Sequence, residues 1–296
     1  MDTAPRRVEH QQTDKGYVPV YTTAVVTQPW DSYSADDHAT WGTLYTRQRA
    51  LLVGRACDEF LEAQDAMGMG SQAIPRFDEL NAVLQATTGW TLVGVEGLLP
   101  ELDFFDHLAN RRFPVTWWIR RPEQIDYIAE PDLFHDLFGH VPLLMNPLFA
   151  DYMQAYGRGG VKAHAIGPDA LQNLTRLYWY TVEFGLIDTP DGLRIYGAGI
   201  VSSKGESLYS LESNAPNRIG FDLQRIMRTR YRIDTYQKTY FVIDSFEQLM
   251  QATSPDFTPL YAALADQAHL PAGQVQAQDR VFHVGSGEGW ADGGDV

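Results

Sequence analysis

Cysteine is nearly absent: Cys57 stands alone among 296 residues. A single thiol excludes an internal disulfide and any zinc site built on several cysteines. Its neighbours supply neither the base nor the positive surroundings that a catalytic thiol needs, so Cys57 reads as a small buried apolar residue. Basic residues are also scarce, 23 against 38 acidic ones, for a net charge of −15. So acidic a chain repels a phosphate backbone, and no dense Lys/Arg block offsets the repulsion; no nucleic-acid partner is expected. No stretch approaches the ~20 apolar residues of a membrane-spanning helix, so no membrane partner is expected. The opening MDTAPRRVEHQQTDKGYVPVYTTAVV lacks the apolar centre of a secretory signal. The expected location is the cytoplasm.

What is present is material for a core: 44% of the residues are hydrophobic, which separates the chain from disordered proteins. Residues 1–30 are polar, carry Pro5, Pro19 and Pro29, and show no helical period, so they read as an extended leader. Residues 283–296 are Gly-rich and acidic and read as a flexible tail. Between them no linker or repeat interrupts 31–282, which reads as a single catalytic domain. Ser34 followed by Asp37 has the form of a helix N-cap with an acidic third residue, and Trp41, Leu44 and Tyr45 continue an apolar stripe. Phe77–Thr88, stopped by Gly89, reads as a second helix. Short β-like runs fall at Trp90–Val95, Val115–Ile119 and Thr239–Ile243. They are too few and too scattered for alternating β-α units, so the expected class is mainly α with small β elements.

The chemistry gathers around Glu130-Pro131-Asp132-Leu133-Phe134-His135-Asp136-Leu137-Phe138-Gly139-His140-Val141-Pro142. Pro131 suits a first helical turn, and Gly139 and Pro142 are stop signals, which predicts a short helix over about 131–138. His135 and His140 are five apart, about 140° out of register on a continuous α-helix. They can share one ion only if the chain turns between them, and Gly139 is the expected turn. A third ligand is sought in a carboxylate on another element. Glu183 fits, with Trp179 and Tyr180 one helical turn before it; a carboxylate among aromatic neighbours needs a cation. Two histidines and one carboxylate form the facial triad of non-haem Fe(II) oxygenases. Spacing alone also allows capping and core packing for the histidines, and an ion pair between Glu183 and Arg176.

Three segments resemble the signature blocks of the pterin-dependent aromatic amino acid hydroxylases: EPDLFHDLFGHVPLL (130–144), LYWYTVEFGL (177–186) and IYGAGIVSSKGES (195–207). The resemblance spans roughly 30–264 and is strongest toward the short bacterial members. It implies the family's catalytic-domain fold, with His135, His140 and Glu183 as catalytic residues and iron ligands. It implies that Arg120 pairs with the substrate carboxylate, a task a planar guanidinium suits. Pro131 and Trp179 are implied to line the substrate ring, and Ser202 to support the site and its histidine. Phe104 is implied to stack on the pterin beside a backbone wall of Gly97, Leu98 and Leu99; core packing is the alternative for Phe104. Trp179 and Val242 agree with members that act on phenylalanine.

The resemblance thus implies an enzyme that converts L-phenylalanine to L-tyrosine in phenylalanine catabolism. Its requirements would be Fe(2+), O2 as co-substrate, and tetrahydrobiopterin or a related bacterial tetrahydropterin. An iron(IV)-oxo group attacking the para carbon is part of that implication. Ile128 departs from the Thr that animal members carry near the substrate amine. The animal members' regulatory domain and tetramerisation helix have no counterpart in the sequence, and a monomer is expected. Three alternatives remain open at this level. One is a zinc hydrolase with Asp136 as base; another is a nucleotide-binding protein using Gly197-Ala198-Gly199; the third is a hydroxylase of tyrosine or tryptophan.

Overall fold

The computed structural model describes residues 20–290 throughout, together with the backbone of 11–13 and 16–18. Ser34 opens the helix Ala35–Leu52 as its sequence demands. Its Oγ accepts from the Asp37 N–H at 3.2 Å, while the Asp37 carboxylate accepts from the Ser34 N–H at 2.8 Å. Two orphan helix donors are satisfied reciprocally, and Trp41, Leu44 and Tyr45 turn inward. The helix Phe77–Thr87 is followed by Gly89 at φ +77°, a left-handed conformation that glycine adopts without strain. Asn146 caps the longest helix, Pro147–Ile166, by accepting from the N–H groups of Leu148 and Phe149. That helix crosses Glu101–Ala109 so closely that a Cβ at Gly157 would lie 2.3 Å from the Ala109 nitrogen.

The expected helix-rich architecture with little sheet is what the chain forms. A five-stranded mixed sheet runs in the order Val281–His283, Asn217–Gly220, Thr239–Ile243, Leu186–Thr189, Gly192–Ile195. Its centre, Thr239–Ile243, is buried on both faces and was legible as a strand. The other four strands of the sheet were not, being four residues or shorter. A smaller sheet joins Val25–Val26, Thr91–Val95 and Arg112–Thr116. Here the strand expected at Val115–Ile119 ends early. From residue 117 the chain leaves the sheet, and 116–120 clasp the start of the histidine-bearing helix: Leu133 N–H donates to the Trp118 carbonyl, and side chains of Asp132 and Asp136 accept from the N–H groups of Arg120 and Thr116.

Both chain ends are fastened where they are described. Residues 20–30 pair with the body through Val25–Val26 and a bridge from Tyr21 to Leu98, and a 3-10 turn begins at Trp30. Residues 283–290, read as part of a flexible tail, run back along the sheet instead. Ser286 and Gly287 donate to the carbonyls of Asn214 and Ala215, and Gly285 donates to the Asn217 side chain. The rest of that tail, 291–296, lies outside the described residues.

Candidate active site

The two histidines sit on a segment that does not break. The chain enters a helix at Leu133 and widens into a π-helical turn over His135–His140. A π turn closes between residues i and i+5, so side chains five apart come to the same side. The expectation of a chain reversal at Gly139 is therefore corrected: the helix is wound wider, and Gly139 takes no positive φ. The glycine is needed for approach, since a Cβ there would lie 2.9 Å from the Ala198 carbonyl oxygen. The carboxylate partner is built alike. The helix Pro168–Tyr178 widens into a π turn over Trp179–Glu183, with the Phe184 N–H donating to the Trp179 carbonyl at 2.9 Å. Of the two aromatics expected beside Glu183, Trp179 shares its cavity face, whereas Tyr180 points into the core and donates to the Arg230 carbonyl.

The three donors meet. His140 Nε2 lies 3.0 Å from His135 Nε2 and 3.2 Å from Glu183 Oε1, and His135 Nε2 lies 3.6 Å from Glu183 Oε2. Donors about 2.1 Å from one shared ion stand roughly 3–3.5 Å apart, so this spacing fits a single metal. The tautomer is arranged for it. Ser202 Oγ donates to the Ala198 carbonyl at 2.7 Å, so it must accept from His135 Nδ1–H at 2.9 Å, which leaves the Nε2 lone pair facing the other two donors. Burial pushes the His135 imidazole down to about 4, which keeps it neutral and able to bind a cation. Burial alone would raise Glu183, but His140 and His135 beside it hold its carboxyl below the usual value. Asp136 also brings a carboxylate oxygen within 4.8 Å of imidazole nitrogens of both histidines. Its Oδ2, however, accepts from the Thr116 N–H at 2.7 Å, and burial raises its carboxyl to about 7. Glu183 is the better anionic ligand.

A cavity of about 910 Å³ opens beside this cluster. Arg120, Pro131, His135, Trp179, Glu183 and Ser202 line it, as does Leu98. Arg120 is held by a partner the sequence did not point to: its Nε and Nη2 each donate to Asp132 at 2.9 Å, with both side chains buried. The fork uses two of the five guanidinium N–H groups, and the others, on Nη1 and Nη2, remain to donate elsewhere. Asp132 also accepts from the His135 N–H at 3.1 Å, so one buried carboxylate ties the arginine to the metal-binding helix. The two residues are 12 apart, and no local pattern announces the pairing. Gly97, Leu99 and Phe104 do not line the cavity. Phe104 instead packs edge-on against Tyr178 at 5.8 Å, and Tyr178 stacks on His140 at 6.2 Å. Val242 is buried in the central strand and also does not line the cavity. Ile128 does line it, and so do Glu288, Gly289 and Trp290 of the docked tail.

Two alternatives lose their footing in this geometry. A Cβ at Gly197 would lie 2.4 Å from the Glu183 carbonyl oxygen, and one at Gly199 would lie 2.9 Å from the Phe184 ring. These glycines let the short helix Ala198–Val201 press against the Glu183 turn; they cradle no phosphate. Cys57 is buried, and burial raises its thiol well above the ordinary value, in keeping with an inert residue.

Fold and site together bring two histidines and one carboxylate to the edge of an open, partly apolar cavity, at a spacing that fits a single metal ion. Residues 21–258 match the model of the biopterin-dependent aromatic amino acid hydroxylase family, and the chain belongs to that family. It is 66% identical over 269 residues to phenylalanine-4-hydroxylase of Ralstonia nicotianae, covering 91% of this chain and 85% of the relative. It is 65% identical over 269 residues to the phenylalanine-4-hydroxylase of Chromobacterium violaceum, covering 91% and 90%. A crystal structure of phenylalanine hydroxylase from Chromobacterium violaceum, bound to iron and phenylalanine, superposes with a TM-score of 0.84 at 62% identity, covering 88% of this chain and 96% of that one. Family membership sets aside the zinc-hydrolase and nucleotide-binding alternatives. Among the described residues, no helix is long and apolar enough to cross a membrane.

Proposed function

We propose that this chain hydroxylates L-phenylalanine to L-tyrosine, using O2, Fe(II) and a tetrahydropterin. The observation that carries this reading is the convergence of His135, His140 and Glu183 on one point at the wall of a cavity that also presents Arg120 and Trp179. An unactivated benzene ring resists attack by water-derived nucleophiles, and the bound iron and pterin supply the activation of O2 that the reaction needs. The chain's own residues bind and aim. Ser202 holds His135 in the tautomer that offers Nε2, and the π turns bring the three ligands to one side. Arg120, pre-set by Asp132, receives the substrate carboxylate. Trp179 and Pro131 form the wall that presents the ring toward the metal, with its para carbon foremost. Leu98, at the cavity wall, would border the pterin; Gly97, Leu99 and Phe104, expected beside it, lie off that wall. Identity of about two-thirds to enzymes named for phenylalanine supports this amino acid over tyrosine or tryptophan. The same reading takes the enzyme as a cytoplasmic monomer, which light scattering on the purified chain checks.

The experiment is anaerobic loading with Fe(II), then addition of tetrahydropterin, L-phenylalanine and air, with tyrosine read by chromatography. Tyrosine that requires every component is the expected result. His135→Ala and Glu183→Ala should each abolish tyrosine and bound iron while far-UV circular dichroism stays native. Retained turnover in either variant removes that residue from the ligand set.

A further inference from the structure

The indole of Trp179 has one polar atom, the Nε1–H, and it can only donate. It donates to Gln237 Oε1 at 2.9 Å. The rest of the indole is held by rings: Tyr231 stacks at 4.3 Å with 20° between planes, and Phe184 lies tilted at 4.8 Å. Ring-to-ring contact tolerates sliding and in-plane rotation, whereas an N–H···O bond is directional and fixes both. Gln237 is itself locked. It is buried, its Nε2 donates to the Arg232 carbonyl, and its backbone N–H donates to Glu206 Oε1 at 3.2 Å. Tyr240, in the central strand, donates a short hydrogen bond to the same Glu206 oxygen. A rigid chain of contacts therefore runs from the sheet centre through Glu206 and Gln237 to the indole that lines the cavity. Gln237 does not line that cavity, so it reaches no substrate directly.

We infer that Gln237 is a positioning residue for the hydroxylation: its side-chain carbonyl fixes where the Trp179 indole sits within the plane of its stack on Tyr231, and so which ring carbon of the substrate faces the metal. This rests on Trp179 lining the substrate ring, as proposed above. Neighbouring carbons of a benzene ring are only about 1.4 Å apart, so an indole shift of about 1 Å is enough to change the site of attack. Gln237→Leu removes the acceptor and keeps the bulk of the side chain.

The test compares para- and meta-tyrosine made by the iron-loaded enzyme with tetrahydropterin, phenylalanine and air. Gln237→Leu is expected to raise meta-tyrosine from a trace to on the order of a tenth of the product, and KM for phenylalanine about five-fold. A product ratio does not depend on how much enzyme is folded or loaded, so lost stability alone cannot produce it. Gln237→Met, unbranched and of similar length, takes its place if the leucine variant fails to fold. Trp179→Phe should shift the ratio by itself, and adding Gln237→Leu to it should change nothing further. If Trp179→Phe shifts the ratio and Gln237→Leu does not, the inference falls and the role of Trp179 stands. An equal effect of Gln237→Leu with and without Trp179 overturns it as well. If neither variant shifts ratio or KM, Trp179 is not the substrate wall, and that part of the functional reading falls too.

Discussion

At the scale of single residues, the site depends on side chains whose own freedom has been removed. His135 illustrates this through Ser202, whose hydroxyl has one donor, already given to Ala198, and so can only accept from Nδ1. Ser202→Ala leaves Nδ1–H without its acceptor and frees the ring to change tautomer. Iron affinity should fall about 10- to 100-fold, read by anaerobic Fe(II) titration, with the thermal midpoint of the metal-free protein nearly unchanged. Unaltered affinity would assign Ser202 to packing alone. The proposed ligands were legible in sequence through the family's signature blocks; residue types and spacing alone left capping, core packing and an ion pair open. Asp132 was visible only as an acidic residue near a helix start. That it clasps Arg120 follows from a strand end being folded against that helix, which spacing does not reveal.

At the scale of elements, both ligand-bearing helices widen into π turns where they supply the metal site. The histidine spacing held the clue, since five residues cannot share a face of an α-helix, and a glycine between them suggested a break. A π turn meets the same requirement without losing the helix, and it is stable here because its other side is packed. Phe134 and Phe138 stack at 4.7 Å and meet Trp41, Tyr45 and Phe60 edge-on. Burial of each such ring is worth about 1.5–3 kcal/mol, enough to offset a strained turn. Gly139 lets this helix approach Ala198. Gly139→Ala should push the two elements apart, cost about 1–3 kcal/mol in urea unfolding, and weaken iron binding as well. Lost stability with unchanged iron affinity would separate the packing contact from the geometry of the site.

At the scale of the whole molecule, the cavity is assembled from stretches near 98, 120–135, 179–184, 199–209, 233–238 and 288–290, so it exists only when the chain is closed. Its wall includes a further buried acid, Glu206. Burial pushes the Glu206 carboxyl up from 4.5 to about 7. The folded chain thus retains a proton that the unfolded chain releases near pH 4.5. The stability this group contributes is complete below that pH and is lost as the pH rises through 7, by roughly 3 kcal/mol. Glu206→Gln keeps an acceptor oxygen and carries no charge. Urea midpoints at pH 5 and pH 8 should show the variant gaining on the parent chain as pH rises; a gap that stays constant would sink the assignment.

The sequence by itself determined whatever depends on near neighbours. The capping box at Ser34–Asp37, the stop at Gly89, the central strand Thr239–Ile243 and the helix-rich class all follow from propensity and period over a few residues. The proposal of His135, His140 and Glu183 as ligands follows from the resemblance of ordered blocks to those of the family. The tertiary structure decided the rest: the π winding that turns both ligand segments inward, the Asp132 clasp on Arg120, and the docked tail. It also decided the bond from Trp179 to Gln237, 58 residues away. Such contacts form between side chains that meet only after distant segments have packed, and their energy comes from burial that no local window of the sequence contains.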